Sequence, residues 1–187
     1  MKILVVVDVQ NDFVTGTLGS KQAEAIIPNV IAKIKEYQDN GDTVIFTRDT
    51  HYNYYLATQE GKNLPIEHCI KDTWGWQIVD GLMTNGLPHE IYNKETFGSK
   101  ELIYELNKKY YYEKVESIEF IGLCTDICVV SNVLGTKIII PEIPIKVDAA
   151  CCAGVTPEAH DAAITTMKSC QIEILNMGKE PWRGLYI

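Results

Sequence analysis

Uninterrupted apolar runs recur along the chain and predict strands that are buried on both faces. Residues 2–9 and 43–47 are rich in β-branched and aliphatic side chains, with no regular alternation of polar ones. This pattern is typical of a parallel sheet covered by helices, because strands with one solvated face alternate. Shorter runs predict further strands at residues 90–92, 118–121, 137–140, 143–147 and 171–175.

Segments with helical spacing separate these runs. In the longest of them, apolar side chains lie three and four positions apart, and the pattern stops at Asn40-Gly41, a typical helix end. The alternation of strands and helices predicts a three-layer α/β/α fold with a mostly parallel sheet. Helices are predicted at residues 25–37, 99–108, 129–134 and 156–167, a turn at 148–154 and a long polar loop at 52–72.

Composition and charge narrow the class of protein. A chain of 187 residues, 46% of them hydrophobic, suits a single globular domain over residues 1–187. The net charge is −8 and the lysines are scattered, which argues against a nucleic-acid partner. The apolar runs are too short for a membrane span or a signal peptide, so we expect no membrane partner and a cytoplasmic location. We expect the six cysteines to be free thiols.

The segment 121–130 carries the strongest chemical signal. An apolar run reaches Gly122, passes through a polar turn and arrives at Cys128, which opens a helix-compatible stretch. Backbone N–H groups and the dipole at a helix N-terminus favour a thiolate, so Cys128 is the candidate nucleophile. The alternatives are that Cys128 is a small buried apolar residue, or forms half of a metal site with Cys124, although no second cysteine pair accompanies them.

Other polar residues also follow predicted strands. Asp8 ends the first strand, and Lys94 lies in a loop after the strand at 90–92. Since the carboxyl ends of parallel strands form the ligand crevice, both are candidate site residues. Asp8 could instead serve as a turn or cap residue, and Lys94 could simply be solvated. Phe13 either anchors its loop to the core or lines a pocket.

Three segments together resemble the motifs of the isochorismatase-like cysteine hydrolases. They are residues 8–13, Lys94 and residues 122–129, and their spacing extends the likeness over most of the chain. Residues 48–51 and 64–69 are similar to the metal-binding loop of nicotinamidases within that family. The resemblance implies a Rossmann-like sheet of about six mostly parallel strands flanked by helices.

The resemblance also implies a catalytic set. Cys128 matches the nucleophile, Asp8 the acid/base and Lys94 the cation of the family triad. The peptide bond before Cys124 is expected to be cis, and the backbone N–H groups of Cys124 and Cys128 are expected to form the oxyanion hole. Phe13 and Leu123 are expected to line the substrate pocket.

One divalent metal ion is expected as cofactor. The family likeness implies Asp49, His51 and His68 as ligands, with Glu60 as a fourth. Two imidazoles and two carboxylates suit zinc, manganese or iron. Taken singly, His51 and His68 would be ordinary loop histidines; together with the acids on consecutive crevice loops they indicate a metal site.

These residues predict an amidohydrolase that converts nicotinamide to nicotinate and ammonia through a thioester on Cys128, an activity of NAD metabolism. The partner is then a small-molecule amide, and a homo-oligomer is expected. There are two alternatives. The protein could be another cysteine amidase that acts on a carbamoyl or ureido compound, or it could be a non-catalytic binding module. Two features differ from the family pattern. Residues 131–135 lack the threonine-alanine and aspartate-alanine pairs of many members. Leu64 and Pro65 occupy the position at which some nicotinamidases have a pocket tryptophan.

Overall fold

A six-stranded parallel sheet runs through the computed structural model, which describes residues 1–83 and 90–186. The strand order is β3-β2-β1-β4-β5-β6, and every neighbouring pair is parallel. This confirms the predicted α/β fold and its six strands. The strands are β1 (Lys2–Val7), β2 (Thr43–Asp49), β3 (Glu90–Lys94), β4 (Ser117–Leu123), β5 (Ile145–Ala153) and β6 (Glu173–Leu175).

Helices cover the sheet, and hydroxyl side chains cap the N-termini of three of the four longest. Ser20, Ser99 and Thr156 each accept a hydrogen bond from the backbone N–H three residues on, as helix caps do. No helix in the described part of the chain is long and apolar enough to cross a membrane. The helices are α1 (Asn11–Val14), α2 (Lys21–Asp39), α3 (Gln59–Asn63), α4 (Lys100–Tyr112), α5 (Val130–Ile139) and α6 (Pro157–Ser169).

The strand order reverses beside β1, which pairs with β2 on one side and with β4 on the other. All seven residues of β4 and five of the six in β1 are buried, so both faces of the sheet centre are covered. In open parallel sheets, the crevice beyond the carboxyl ends at such a reversal is where ligands bind. The fold therefore puts the ends of β1 and β4 at the expected place for a site.

Two predicted elements are wrong. Residues 137–140 do not form a strand, because α5 continues to Ile139. Ile138 is 77% exposed, so its apolar side chain was not evidence of a buried strand. Residues 148–154 are not a turn, because β5 continues to Ala153. The small side chains of β5 fit where α2 packs closely on the strand, as the hydrogen bond from Asn29 Nδ2 to the Ala150 carbonyl shows (2.9 Å).

Glycine is required where β4 passes β1. Gly122 has φ +119°, and a Cβ added to it would lie 2.1 Å from the carbonyl oxygen of Val7. No L side chain fits that space, since the obstacle is backbone of the central strand. Gly122 thus allows the ends of β1 and β4 to approach each other at the crevice.

We expect Gly122→Ala to lower the free energy of unfolding by about 3 kcal/mol or more, because it combines backbone strain with a clash. Gly41→Ala, at φ +71° with no atom within 4 Å, should cost only about 1 kcal/mol. Gly184→Ala, which has neither problem, should stay within about 0.5 kcal/mol of the parent. Urea unfolding of the three variants measures the difference, and equal losses would contradict the close-approach argument.

Candidate active site

Four chemically active side chains meet at the carboxyl edge of the sheet. Asp8 directly follows β1, Asp49 ends β2, Lys94 ends β3, and Cys128 lies just beyond β4. Lys94 is therefore the last residue of a strand and does not lie in the loop that was predicted to hold it. All four are at least 95% buried.

The Lys94 ammonium lies at the centre of this group. Its Nζ is 2.6 Å from Oδ2 of Asp8, 3.2 Å from Oδ1 of Asp49 and 3.5 Å from Sγ of Cys128. A buried charge needs such partners, because desolvation of an unpaired ammonium is costly. The lysine thus joins the proposed nucleophile and acid/base to one of the proposed metal ligands.

The Asp8 carboxylate is oriented by its backbone and by Thr47. Asp8 has φ +48°, a left-handed conformation that costs a non-glycine residue about 1 kcal/mol or more. The Thr47 hydroxyl donates to Oδ1 of Asp8 at 2.7 Å and accepts from the Asp8 N–H at 3.2 Å. These contacts leave Oδ2 to face Lys94.

Burial sets the proton balance of the group. It raises the pKa of the Cys128 thiol and of the Asp8 carboxyl, while the charge of Lys94 opposes both shifts. Against its own burial, Lys94 has a pKa well above its ordinary value because of Asp8 and Cys128. Both shifts favour the protonated forms, so Cys128 is a thiol in the free site. The helix N-terminus was expected to favour a thiolate, but desolvation of the sulfur outweighs that effect.

Cys128 lies in a π-helical turn, Thr125–Val129, that leads directly into α5. The peptide bond between Leu123 and Cys124 is cis. Asn132, one turn further along, donates from Nδ2 to the Cys128 carbonyl (2.8 Å) and accepts from the Ser99 N–H at Oδ1 (2.8 Å). Asn132 thereby connects the cysteine turn to the start of α4.

A cavity of about 510 Å³ opens onto Cys128. Both predicted pocket residues, Phe13 and Leu123, line it, together with Cys124 and the metal-ligand candidates Asp49 and His68. Further lining comes mainly from small and apolar residues: Leu18, Gly19, Ala23, Leu64, Phe97, Ile127 and Val155. Glu60 also lines the cavity, which thus joins an apolar pocket to the nucleophile and to three of the four candidate ligands.

The structure brings three of the proposed metal ligands into one buried cluster. One donor atom from each of Asp49, His51 and His68 lies within 4.8 Å of the others, and the Asp49 Oδ2 to His51 Nε2 distance is 2.9 Å. Glu60 Oε1 lies 3.6 Å from His51 Nε2 and 3.8 Å from His68 Nε2. Glu60 thus lies beside the two histidines but outside the three-residue cluster.

Two observations test whether this cluster fits a metal ion. Among the described residues, the buried His51 Nε2 forms no well-aligned hydrogen bond although Asp49 Oδ2 lies only 2.9 Å away, and two such atoms can face one ion in common. His68 donates from Nδ1 to the Ile66 carbonyl (2.8 Å), so its Nε2 lone pair is free to coordinate. Two imidazole nitrogens and carboxylate oxygens around one point fit a divalent ion such as zinc.

Sequence reasoning missed three polar residues that hold the site. They are Thr47, Asn132 and Gln10; the Gln10 side chain accepts from the Asp49 N–H (2.7 Å) and donates to the Asp49 carbonyl (2.9 Å). A fully buried amide directly after an apolar strand was a usable signal for Gln10, because such a group must find partners. Asn132 gave no signal, since its partner Ser99 is distant in sequence.

Comparison with known proteins agrees with this site. Residues 2–178 match the isochorismatase domain family. A nicotinamidase of Saccharomyces cerevisiae is 32% identical over 110 residues, which are 44% of this chain and 50% of the yeast protein. A nicotinamidase/pyrazinamidase of Mycobacterium tuberculosis is 25% identical, over 94% of this chain and 98% of its own. A crystal structure of a Pyrococcus horikoshii pyrazinamidase in complex with zinc is 26% identical, with a TM-score of 0.79 over 93% of this chain and 98% of that one.

One relative carries a different description. A "probable inactive nicotinamidase" of Arabidopsis thaliana is 26% identical, over 91% of this chain and 89% of its own. Proteins at this level of identity thus include one described as inactive. The similarity therefore shows the family, and activity has to be argued from the site itself.

We expect chelator-treated protein to take up about one equivalent of zinc, and His51→Ala and His68→Ala to lose most of this uptake, because each removes a nitrogen donor. Equilibrium dialysis followed by metal analysis measures the uptake. Glu67→Gln, an exposed acid in the same loop, is the control and should bind like the parent. Full uptake by both histidine variants would place the ion elsewhere.

Proposed function

The chain belongs to the isochorismatase domain family, and on that premise we propose that it hydrolyses nicotinamide to nicotinate and ammonia. One observation carries the proposal: a buried Asp8-Lys94-Cys128 group and a cluster suited to a divalent metal lie beside the same cavity. The two halves are joined by the contact between Lys94 and Asp49. Amide hydrolysis uses the first half for bond cleavage and the second for holding the substrate.

The proposed reaction begins with Cys128 Sγ attacking the amide carbonyl carbon while Asp8 accepts the thiol proton. Asp8 then gives this proton to the amide nitrogen, the carbon–nitrogen bond breaks, and ammonia leaves a thioester on Cys128. A water molecule, deprotonated by Asp8, attacks the thioester and releases the acid and the thiol. In this sequence the thiol proton of Cys128 passes by way of Asp8 to the ammonia.

Backbone donors are proposed to stabilise the oxyanion. The N–H groups of Cys124 and Cys128 lie on the turn that follows β4, and the Cys124 carbonyl accepts from the N–H groups of Ile127 and Val129 (both 3.1 Å). These bonds shape the turn without using the two proposed donors. Fixed backbone donors of this kind stabilise a transition state by several kcal/mol, because no reorganisation is needed.

The proposed metal site has a binding role. Asp49, His51 and His68, with Glu60 beside them, would hold the ion. When bound, it would supply a Lewis acid to which the pyridine nitrogen can coordinate. Phe13, whose ring centroid lies 5.6 Å from that of His68, would contact the ring face at that end of the cavity.

A second candidate is another amidase of the same family, acting on a carbamoyl or ureido compound. The cavity of about 510 Å³ has no tryptophan among its lining residues and leaves room for substrates other than a single pyridine ring. A non-catalytic module is the third candidate, and the relative described as inactive supports keeping it. We propose one hydrolase domain for all of residues 1–187, because strands from both ends of the chain share the sheet.

The direct test is release of ammonia and nicotinate from nicotinamide by metal-loaded protein. We expect turnover by the parent and none by Cys128→Ala, since that variant lacks the nucleophile. Cys170→Ala, which removes an exposed thiol, is the matched control and should keep parent activity. Turnover of carbamoyl or ureido compounds without turnover of nicotinamide would select the second candidate. No turnover of any amide, together with no preferential alkylation of Cys128 by iodoacetamide, would select the third.

Lys94→Met should abolish most amide turnover and also destabilise the protein. The variant keeps most of the side-chain length but leaves the Asp8 and Asp49 carboxylates buried without their cation. Breaking such a buried ion pair lowers the free energy of unfolding by about 3–5 kcal/mol. Thermal unfolding and ammonia release measure the two effects. Lys109→Met, which removes a cation bound to Glu90 near the surface, should leave turnover intact. Parent-like activity of Lys94→Met would remove Lys94 from the mechanism.

A further inference from the structure

A second series of buried polar side chains, which does not include Lys94, contacts the cysteine turn. The Thr125 hydroxyl lies 2.8 Å from Nδ1 of His160, and His160 Nε2 lies 3.4 Å from Oε1 of Glu180. Arg183 contacts the other oxygen of Glu180. Thr125 and His160 are fully buried and Glu180 is 3% exposed. The proposed reaction uses none of these groups.

The direction of the hydrogen bonds follows from the charges. Burial lowers the pKa of His160, so the ring is neutral and carries one N–H. Against its burial, Glu180 has a lowered pKa because of Arg183, so it is a carboxylate. The negative charge of Glu180, whose Oε1 lies 3.4 Å from Nε2, favours the ring proton on Nε2, although the two atoms form no well-aligned hydrogen bond. Nδ1 is then an acceptor, and the Thr125 hydroxyl donates to it.

The end of the chain holds this arrangement in place. The 3-10 segment Pro181–Tyr186 follows Glu180, and within it Trp182 is buried against the His160 ring with centroids 5.0 Å apart. The Trp182 indole N–H donates to the Cys152 carbonyl of β5 at 3.0 Å. The C-terminal segment is thus anchored to the sheet and presents Glu180 to His160.

The neighbouring residue of the turn is fixed in a second way. Asp126 Oδ1 accepts from the Val155 N–H (3.0 Å) just after β5. Gly154 permits this approach, because a Cβ there would lie 2.7 Å from Asp126 Oδ1 and 2.9 Å from the His160 N. Two successive side chains of the turn are therefore held, that of Thr125 by α6 and that of Asp126 by the segment between β5 and α6.

We propose that His160, held by Glu180, is a positioning residue that fixes the Cys124–Cys128 turn through the Thr125 hydroxyl. Thr125 directly follows Cys124, so its side chain controls the backbone between the two proposed oxyanion donors. The consequence for catalysis rests on the proposed function. A displacement of about 1 Å at such donors lowers turnover by about 100-fold, while binding of the ground state is little affected.

The test removes the hydrogen bond from each end. We expect His160→Phe and Thr125→Val to lower kcat for nicotinamide by about 10- to 100-fold with KM little changed. His160→Asn, which retains an acceptor near the position of Nδ1, should recover much of the loss, whereas His160→Gln should not. The double variant Thr125→Val/His160→Phe should be no worse than either single one, because both remove the same bond.

A structural readout keeps the inference separate from the proposed function. Amide hydrogen exchange of residues 124–130 should become faster in His160→Phe and Thr125→Val and return towards the parent rate in His160→Asn. Thr166→Val, on the exposed face of α6, is the control for general loosening of that helix and should exchange like the parent.

Three results would overturn the positioning role: unchanged exchange in both variants, additive losses in the double variant, or equal effects of Asn and Gln at position 160. If His160→Phe does not fold, Thr125→Val and the Asn–Gln pair decide the outcome. If the parent protein hydrolyses no nicotinamide, the proposed function fails, and the exchange rates still decide whether His160 holds the turn.

Discussion

The pairing of one buried ammonium with two buried carboxylates is the interaction on which the crevice depends. Lys94 contacts Asp8 and Asp49, which come from the ends of different strands, and also Cys128. Each carboxylate alone would be costly to bury, and the lysine alone equally so. These charges are paired only because the ends of β1, β2 and β3 lie side by side. Fold and chemistry are fixed by the same three side chains.

The backbone constraint behind this arrangement lies at β1 and β4. Gly122 lets the two strands approach at their carboxyl ends, and the chain then leaves β1 through the left-handed Asp8 and leaves β4 through the cysteine turn. The segments that follow β1 and β4 therefore direct their side chains into the crevice, at the point where the strand order reverses. Thr47 of β2 then holds the Asp8 carboxylate, and the Gln10 side chain holds the backbone of Asp49. The site is thus built mostly from strand ends, which are among the most rigid parts of such a fold.

Much of the fold and the grouping of the site residues could be predicted from the sequence, because both follow from local signals. Continuous apolar runs predicted β1 and β2, and the charged residues after them were predicted to meet at one edge. The strand at 137–140 failed because isoleucines favour strands locally, whereas the chain there continues α5 with Ile138 exposed. The prediction of a turn at 148–154 was wrong because its small residues were interpreted as turn residues. They belong to β5 and allow α2 to pack closely on that strand. Contacts between residues distant in sequence, such as His160 with Thr125, left no local signal at all.

Charge balance connects the two halves of the crevice. Asp8, Asp49 and Glu60 can carry three negative charges, and Lys94 supplies the only cation that contacts two of them among the described residues of the cluster. Transfer of the Cys128 thiol proton to Asp8 does not alter this total, because it only moves one negative charge from oxygen to sulfur. A divalent ion held by Asp49, His51 and His68 would bring the crevice close to neutrality. Because Lys94 touches Asp49 as well as Cys128, such an ion would also compete for the Asp49 carboxylate and leave the lysine more available to Asp8 and the thiol. Metal binding and thiol activation are then linked through one side chain, although neither requires the other for its own chemistry.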